Sequence, residues 1–476
     1  MTNRKIHNLL LLVLLYAGLQ GCTTLREATH SPQKNLPSDF GRSADTTTVA
    51  SWNWKTYFDD PHLTALIDSA LQRNQELNIT LQEIEISKAE IRARKGEYLP
   101  FVGLRAGAGI DKVGKYTRDG AVEEHLTIMP ERKFPEPLPD FMAGAFASWE
   151  LDIWKKLRNG KKAATLRYLA SVEGRNFMVT NLVAEIADAY YELLALDNQL
   201  KIIEQNITIQ SNALNIVRQQ KEAAKLSQLA VNRFEAQLLN TKGRQYQVRQ
   251  RIIEVENRLN FLTGHYPQPV ARASESFTSI PVNAVAAGVP SQLLKNRPDI
   301  RQAELELEAA GVDVAIARAN FYPSLAIAGA AGFNSFSAAH LIKPESILFG
   351  LAGDLAAPLI NRNAIRAAYT SATAAQQQQV YAYEQTVLNA FVEVANQLAK
   401  IDNSEQSYLA KTQEAAILSQ SVSISESLFR SARADYLEVL LTQREALESR
   451  MELIEIKLDQ LNARVMVYKA LGGGWR

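Results

Sequence analysis

The stretch LEVLLTQREALESRMELIEIKLDQLNARVMVY, Leu437–Tyr468, decides the fold. Leu437, Leu440, Arg444, Leu447, Met451, Ile454, Leu458, Leu461, Val465 and Tyr468 follow a strict 3-4-3-4 spacing. A 3.5-residue period sustained this long predicts a left-handed supercoil against a partner helix, and Arg444 alone breaks the apolar seam. The stretch closes a run from Leu359 to Leu471 that contains neither glycine nor proline. At ~1.5 Å rise per residue, half of that run makes a helix of roughly 85 Å. Ordinary globular helices span three or four turns. A long core helix in a bundle is the plainer alternative; an internal duplication argues for the coiled coil.

Outward from this stretch the chain alternates between two periods. Helical pattern begins near Asp59-Asp60-Pro61, where acidic caps and a first-turn proline favour a helix start, and runs to about Lys95. The period then changes to two. Val102, Leu104, Ala106, Ala108 and Ile110 point one way, and Gly103, Arg105, Gly107 and Gly109 the other. In the next alternating segment Phe141, Ala143, Ala145, Ala147, Trp149 and Leu151 oppose Gly144, Ser148, Glu150 and Asp152. Asp111–Asp140 between them is polar and proline-rich and reads as a long exposed loop. Strands are expected at about 98–110, 141–152, 321–334 and 346–356. No proline occurs from Gly160 to Gly264, and Val248, Ile252, Val255, Leu259 and Leu262 again show 3-4 spacing.

The whole pattern occurs twice. A shift of 223 residues (294 − 71) lays Leu71…Leu77…Leu99-Pro100 on Leu294…Ile300…Tyr322-Pro323 without a gap. A shift of 208 (472 − 264) puts Leu229-Ala230-Val231 on Leu437-Glu438-Val439 and Gly264 on Gly472. The repeats are 59–264 and 291–472, joined by the linker 265–290 and followed by a tail, 473–476. So long a period is not a solenoid; it is a duplicated domain.

The N-terminus reads as a targeting signal over residues 1–21. Arg4 and Lys5 form a basic region, and Leu9–Leu15 an apolar core too short to span a bilayer comfortably. Leu19-Gln20-Gly21-Cys22 then resembles a bacterial lipobox, and Cys22 is the only cysteine. A plain secretory signal with an incidental cysteine is the alternative. The lipobox implies acylation of Cys22 by a diacylglyceryl thioether and an N-acyl chain, with no other cofactor. Residues 22–58 read as a lipidated tether, and Thr23 in place of an inner-membrane retention Asp favours the outer membrane. No intrachain disulfide is possible.

Lys+Arg 52 against Asp+Glu 51 gives no electrostatic case for nucleic acid. His7, His30, His62, His125, His265 and His340 offer no pair at metal-ligand spacing, and no nucleophile–base set suggests an enzyme. The fold class is therefore mainly α with a small membrane β-barrel portion. Strands of about ten residues with one apolar face match transmembrane barrel strands. Four cannot close a barrel, and an open edge cannot sit in lipid, so closure requires several chains: two give eight strands, three twelve, four sixteen. A buried soluble sheet is the alternative. In a barrel the lumen side carries Arg105, Glu150, Asp152, Asn334 and Asp354.

Arg297-Pro298-Asp299-Ile300-Arg301, Ala303-Glu304 and Phe321-Tyr322-Pro323-Ser324-Leu325 resemble the most recognisable segment of the TolC-like outer-membrane factors, more narrowly the acylated OprM/NodT-type efflux lipoproteins. Tyr436-Leu437-Glu438-Val439-Leu440, before Gln443-Arg444, resembles the family's second periplasmic hairpin turn. The resemblance implies a homotrimeric duct in the outer-membrane lipid: a twelve-stranded barrel joined to an α-helical periplasmic tunnel. It implies as partners a periplasmic adaptor (membrane fusion) protein and an inner-membrane RND-type transporter.

In the family the tip is shut by leucines at the position of Leu437 and by an acid four residues on, with an arginine three beyond. Here Leu437 and Arg444 match, but Leu441 stands at the acidic position. A leucine ring still blocks ions by dewetting, and Asp435 and Glu438 are the remaining acidic partners for Arg444. The adaptor is expected at the hairpin tips, at Ala223, Ala224 and Leu229 and at Ala432, Ala434 and Tyr436. The same duct serving type I protein secretion is one competing reading. A lipoprotein scaffold with a coiled coil and no pore is another.

Overall fold

The computed structural model describes residues 32, 36–40, 46–282, 286–431 and 433–476. Cys22 with its lipobox, and Ala432, lie outside the described residues. The chain divides into two compact units: one of 90–166 and 307–382, the other of the described residues of 34–89, 167–306 and 383–476.

The first unit contains a four-stranded antiparallel sheet. Its strands are β1 (Phe101–Asp111), β4 (Leu138–Leu151), β5 (Ser324–Ser335) and β6 (Ile347–Ala356), in the order β1-β4-β5-β6. The register joins the apolar set of each strand into one face. Leu104, Ala145, Ala331 and Phe349 form one row across it, and Leu151, Leu325 and Leu355 another. That face is open: Leu104 is 88% and Phe349 86% exposed. Gly144 pairs with Gly332 on the opposite face, and a Cβ on Gly332 would lie 2.5 Å from Ala143 O, so the backbones there leave no room for a side chain. β1 and β6 are edge strands, paired on one side only.

The segment read as an exposed loop between β1 and β4 holds structure of its own. It carries a short helix, Arg118–His125, and a small hairpin of β2 (Thr127–Met129) and β3 (Arg132–Lys133). Thr117 caps the helix, accepting from Gly120 N at 3.1 Å. Eight residues without an apolar stripe gave no period to read.

The helices of both repeats run as the missing breakers require. Lys156–Glu222 and Gln228–Leu262 form the first long hairpin, Asn363–Arg430 and Tyr436–Ala470 the second. Asp60 caps Pro61–Arg73, its carboxylate accepting from His62 N at 2.8 Å and Leu63 N at 3.3 Å. The helix expected to continue to Lys95 breaks once, at Asn74, and resumes as Gln75–Tyr98.

That break marks the duplication at atomic level. Asn74 is buried; its Nδ2 donates to Leu262 O at 3.0 Å and its Oδ1 accepts from Leu77 N at 2.9 Å. Shifted by 223 residues, Asn74 becomes Arg297, the break between Leu293–Asn296 and Pro298–Ala319. Arg297 donates from Nη1 to Ala470 O at 2.8 Å, and Ala470 is Leu262 shifted by 208 (470 − 262). In each repeat, then, the residue that breaks the entry helix ties down the last turn of the exit helix. Gly264 (φ +71°) and Gly472 (φ +88°) follow those last turns in the left-handed conformation. A Cβ would meet Arg73 O at 2.7 Å and Asn296 O at 2.5 Å respectively, backbone atoms at equivalent positions.

In the closing helix, Tyr436–Ala470, Leu440, Leu447, Ile454, Leu461 and Tyr468 are buried, so one half of the heptad seam packs as expected. The other half opens to solvent toward the tip: Leu437 and Arg444 are exposed, Met451 and Leu458 half-buried, and only Val465 is buried. Gln443, Lys457 and Gln460 are buried instead, donating to Glu426 Oε1, Ile280 O and Ser404 O respectively, while Gln443 Oε1 has no hydrogen-bond partner.

The described part of the expected tether, from residue 46, is not free. Trp54, Tyr57 and Phe58 are buried, Tyr57 stacks on Tyr468 with centroids 4.1 Å apart, and Tyr468 Oη donates to Trp52 O at 2.6 Å. The linker is likewise fastened: Arg272 pairs with Asp197 at 2.6 Å and Glu256 at 2.5 Å, and Phe277 is fully buried.

Asp188 is a titrating group within this helical unit. Burial pushes its carboxyl up to about 7 against the pull of Lys469, Arg258 and Lys400, and its Oδ1 has no hydrogen-bond partner. A carboxyl that keeps its proton longer when folded contributes most to stability at low pH. That stability is lost as pH rises from about 4 through 7, by on the order of 4 kcal/mol. Asp188→Asn is expected to flatten this decline and to raise the unfolding midpoint at pH 8. Denaturant titrations at pH 5 and pH 8 check it, and an unchanged pH dependence would refute the assignment.

Candidate functional site

The tips of the two long hairpins meet in one apolar cluster. Leu214, Val217, Ala230, Val231, Phe234, Leu238 and Leu440 are its buried members, and Leu226, Phe429 and Tyr436 pack against them. Both repeats contribute, so neither tip is held by its own hairpin alone. Arg218–Glu235, 3.4 Å apart, ties the two helices of the first hairpin beside the cluster. Phe234 and Phe429 escaped the sequence reading because the duplication does not carry them: shifts of 208 place Thr442 and Lys221 opposite (234 + 208, 429 − 208).

Of the expected adaptor residues, Leu229 is exposed and Ala434 half-buried, whereas Tyr436 belongs to the cluster. Ala223 and Ala224 follow the first long helix directly, in the turn that ends at Ser227. Ala224 adopts φ +56°, a left-handed conformation that costs a residue with a Cβ roughly 1–2 kcal/mol. Two backbone bonds hold the turn, Ala224 N to Lys221 O at 3.0 Å and Lys225 N to Gln220 O at 2.9 Å.

The expected gate residues lie one helical turn apart on the exposed side of the closing helix. Leu437 is 39% and Leu441 40% exposed, with Val439 and Leu440 between them buried. Asp435, Glu438 and Arg444 are exposed, and among the described residues Arg444 is paired with neither acid. Gln443, not Arg444, is the polar group buried here; its Nε2 donates to Glu426 Oε1 at 2.9 Å.

In the sheet, Arg105, Glu150, Asn334 and Asp354 share the face opposite the apolar one. Glu150, Ala326 and Asp354 form a single row across β4, β5 and β6. Asn334 Nδ2 donates to Asp140 Oδ1 at 2.8 Å across the strands. Asp152 is a correction. It follows the end of β4, and its carboxylate accepts from Leu157 N at 3.0 Å, Arg158 N at 2.9 Å and Arg158 Nε at 3.0 Å. Its side chain is only 3% exposed and is spent on holding the helix start. Among the described residues no group of three or more His, Cys, Asp or Glu is placed to hold a metal.

The sequence profile of the outer membrane efflux protein family matches residues 66–265 and 289–473. The chain is 28% identical over 426 residues to the solvent efflux pump outer membrane protein SrpC of Pseudomonas putida, covering 88% of this chain and 87% of that one. It is 27% identical over 467 residues to the cation efflux system protein CusC of Escherichia coli O6:H1, covering 96% and 97%. Among solved structures it resembles the outer-membrane channel OprN, with a TM-score of 0.82 at 22% identity over 94% of this chain and 98% of that one. It also resembles the open-state MtrE outer membrane channel of Neisseria gonorrhoeae, with a TM-score of 0.81 at 24% identity over 96% and 99%.

Proposed function

The chain belongs to the outer membrane efflux protein family, and on that premise we propose that it is the homotrimeric duct of a tripartite efflux pump. Three copies contribute four strands each to a twelve-stranded barrel in the outer membrane, and their helices line a periplasmic tunnel gated at the hairpin tips. An adaptor grips the tips and an inner-membrane transporter supplies the energy; the duct itself catalyses no covalent step. Acylation of Cys22 pins the assembly to the same membrane.

The observation that carries this reading is the sheet. It pairs an apolar face, exposed on β1 and β6 and half-buried over much of β4 and β5, with a polar one and leaves both edges unpaired. Exposed apolar patches of this kind mark surfaces that water does not cover. In lipid the edge N–H and C=O groups must find partners, which other copies of the same sheet supply. Gly144 and Gly332 fit a strongly curved, closed wall better than a flat one.

Cys22→Ser separates the duct from a scaffold. The variant is expected to lose palmitate labelling and yet to stay in the outer-membrane fraction, because the barrel holds it there. Recovery of Cys22→Ser as a soluble periplasmic protein, without detergent, would remove the pore reading.

A further inference from the structure

A cavity of about 390 Å³ lies where β4 and β5 reach their helices, within the first compact unit. That is the size range of sites for small organic ligands, ~300–1,000 Å³. Its walls include Trp154, Tyr322, Glu150, Lys156 and Asn320. Trp154 is stacked on Tyr322 with centroids 4.5 Å apart and planes 21° from parallel, and its indole N–H donates to Pro323 O at 2.8 Å. Both rings are thus held in place, yet both remain exposed. Beside them Lys156 Nζ pairs with Glu150 Oε1 at 2.5 Å, on the polar side of the sheet.

A fixed, exposed aromatic surface is a platform for a planar ring. The neighbouring ion pair is part-exposed, and such pairs contribute only ~0–1 kcal/mol. A ligand bearing both charges can therefore replace it at little cost, its ammonium on Glu150 and its carboxylate on Lys156. A ligand with one charge would leave the other side chain without a partner.

We propose that this corner is a binding site for planar aromatic zwitterions, solutes carrying one ammonium and one carboxylate, and that it acts as a halting point for such cargo on the export path. The assignment of cargo rests on the efflux reading above; the binding itself does not.

Fluorescence anisotropy of norfloxacin, a planar aromatic zwitterion, against the purified full-length protein in detergent tests it. Saturable binding is expected, weakened about tenfold by Trp154→Ala and by the paired replacement Glu150→Gln with Lys156→Gln. The methyl ester, which lacks the carboxylate, should bind about tenfold more weakly than norfloxacin itself. Absence of saturable binding, equal binding of the ester, or binding indifferent to both variants would overturn the proposal; a purely interfacial anchoring role for Trp154 predicts the first of these. Should Trp154→Ala fail to assemble, the paired replacement decides, since it keeps the aromatic stack. Single-channel recording of the Leu437→Ala, Leu441→Ala double variant, whose apolar gate is removed, separates the two readings. A conducting protein without norfloxacin binding keeps the duct and loses the site, whereas binding without conduction keeps the site and loses the duct.

Discussion

Arg297→Ala is expected to cost the folded chain roughly 3–5 kcal/mol, because it removes the centre of a buried ion network. Arg297 is 4% exposed. Its Nε and Nη2 bind Asp299 Oδ1 and Oδ2 at 3.0 and 2.7 Å, and its Nη1 reaches Glu393 Oε2 and Ala470 O, both at 2.8 Å. Burial alone would disfavour the guanidinium charge; Asp299 and Glu393 more than offset it and hold its pKa above the ordinary arginine value. Truncation leaves Asp299, itself largely buried, without its counter-charge, and leaves the last turn of the closing helix untied. Arg297→Lys is expected to recover little, because an ammonium cannot make the forked contact with Asp299 while also reaching Ala470 O. Removing Asp299 together with Arg297 should be less damaging than removing Arg297 alone. Guanidinium denaturation of the purified protein measures each case, and a loss below about 1 kcal/mol for Arg297→Ala would sink the network as a stabilising element. The Arg-Pro-Asp segment is thus a structural joint: the proline starts a helix, and the two charges lock it to the end of another.

Leu437→Ala combined with Leu441→Ala is expected to raise single-channel conductance in a planar bilayer by on the order of tenfold, from a nearly closed wild type. Both leucines are exposed in the single chain while their neighbours Val439 and Leu440 pack inward, so truncation removes apolar bulk from the surface and leaves the core intact. Three copies would bring these side chains together at the tunnel mouth, where an apolar ring excludes water and with it ions. Arg444→Ala is the informative companion. Arg444 is exposed in the single chain, so its loss is expected to open the channel without lowering the stability of the single chain. If the leucine variant leaves conductance unchanged and Arg444→Ala raises it, the closure is electrostatic and lies at Arg444. Wild type and both variants silent, though folded, would mean that the chain forms no pore.

Local regularities were legible where a period or a breaker exposes them. The run Leu359–Leu471, free of glycine and proline, and the proline-free run from Gly160 to Gly264 read as helix because every backbone group within a helix is satisfied internally, and each is broken at its hairpin turn. The four alternating segments could only be strands with an apolar and a polar face, and the register joins the same residues into the same faces. The repeat followed from offsets alone, and it reappears as Asn74 and Arg297, each tying down the exit helix of its own repeat.

What remained illegible depended on which of several equivalent surfaces meets a neighbour. The 3.5-residue period offered Leu440 and Arg444 as members of one seam; packing between hairpins buries the first and exposes the second. Alternation put Asp152 on the polar face, yet the strand ends one residue earlier and the free N–H groups of the following helix capture its carboxylate. Phe234 and Phe429 carry no repeat or motif, and they became visible only once four helices were in place around them. The stacked Trp154–Tyr322 pair joins residues far apart in the chain. The sequence alone determined the long helices, the four long strands, their faces and the duplication, because each follows from interactions between near neighbours or from an internal offset. Tertiary structure alone decided which polar groups are buried, which leucines stay exposed and which aromatics meet, because those depend on distant segments competing for the same surface.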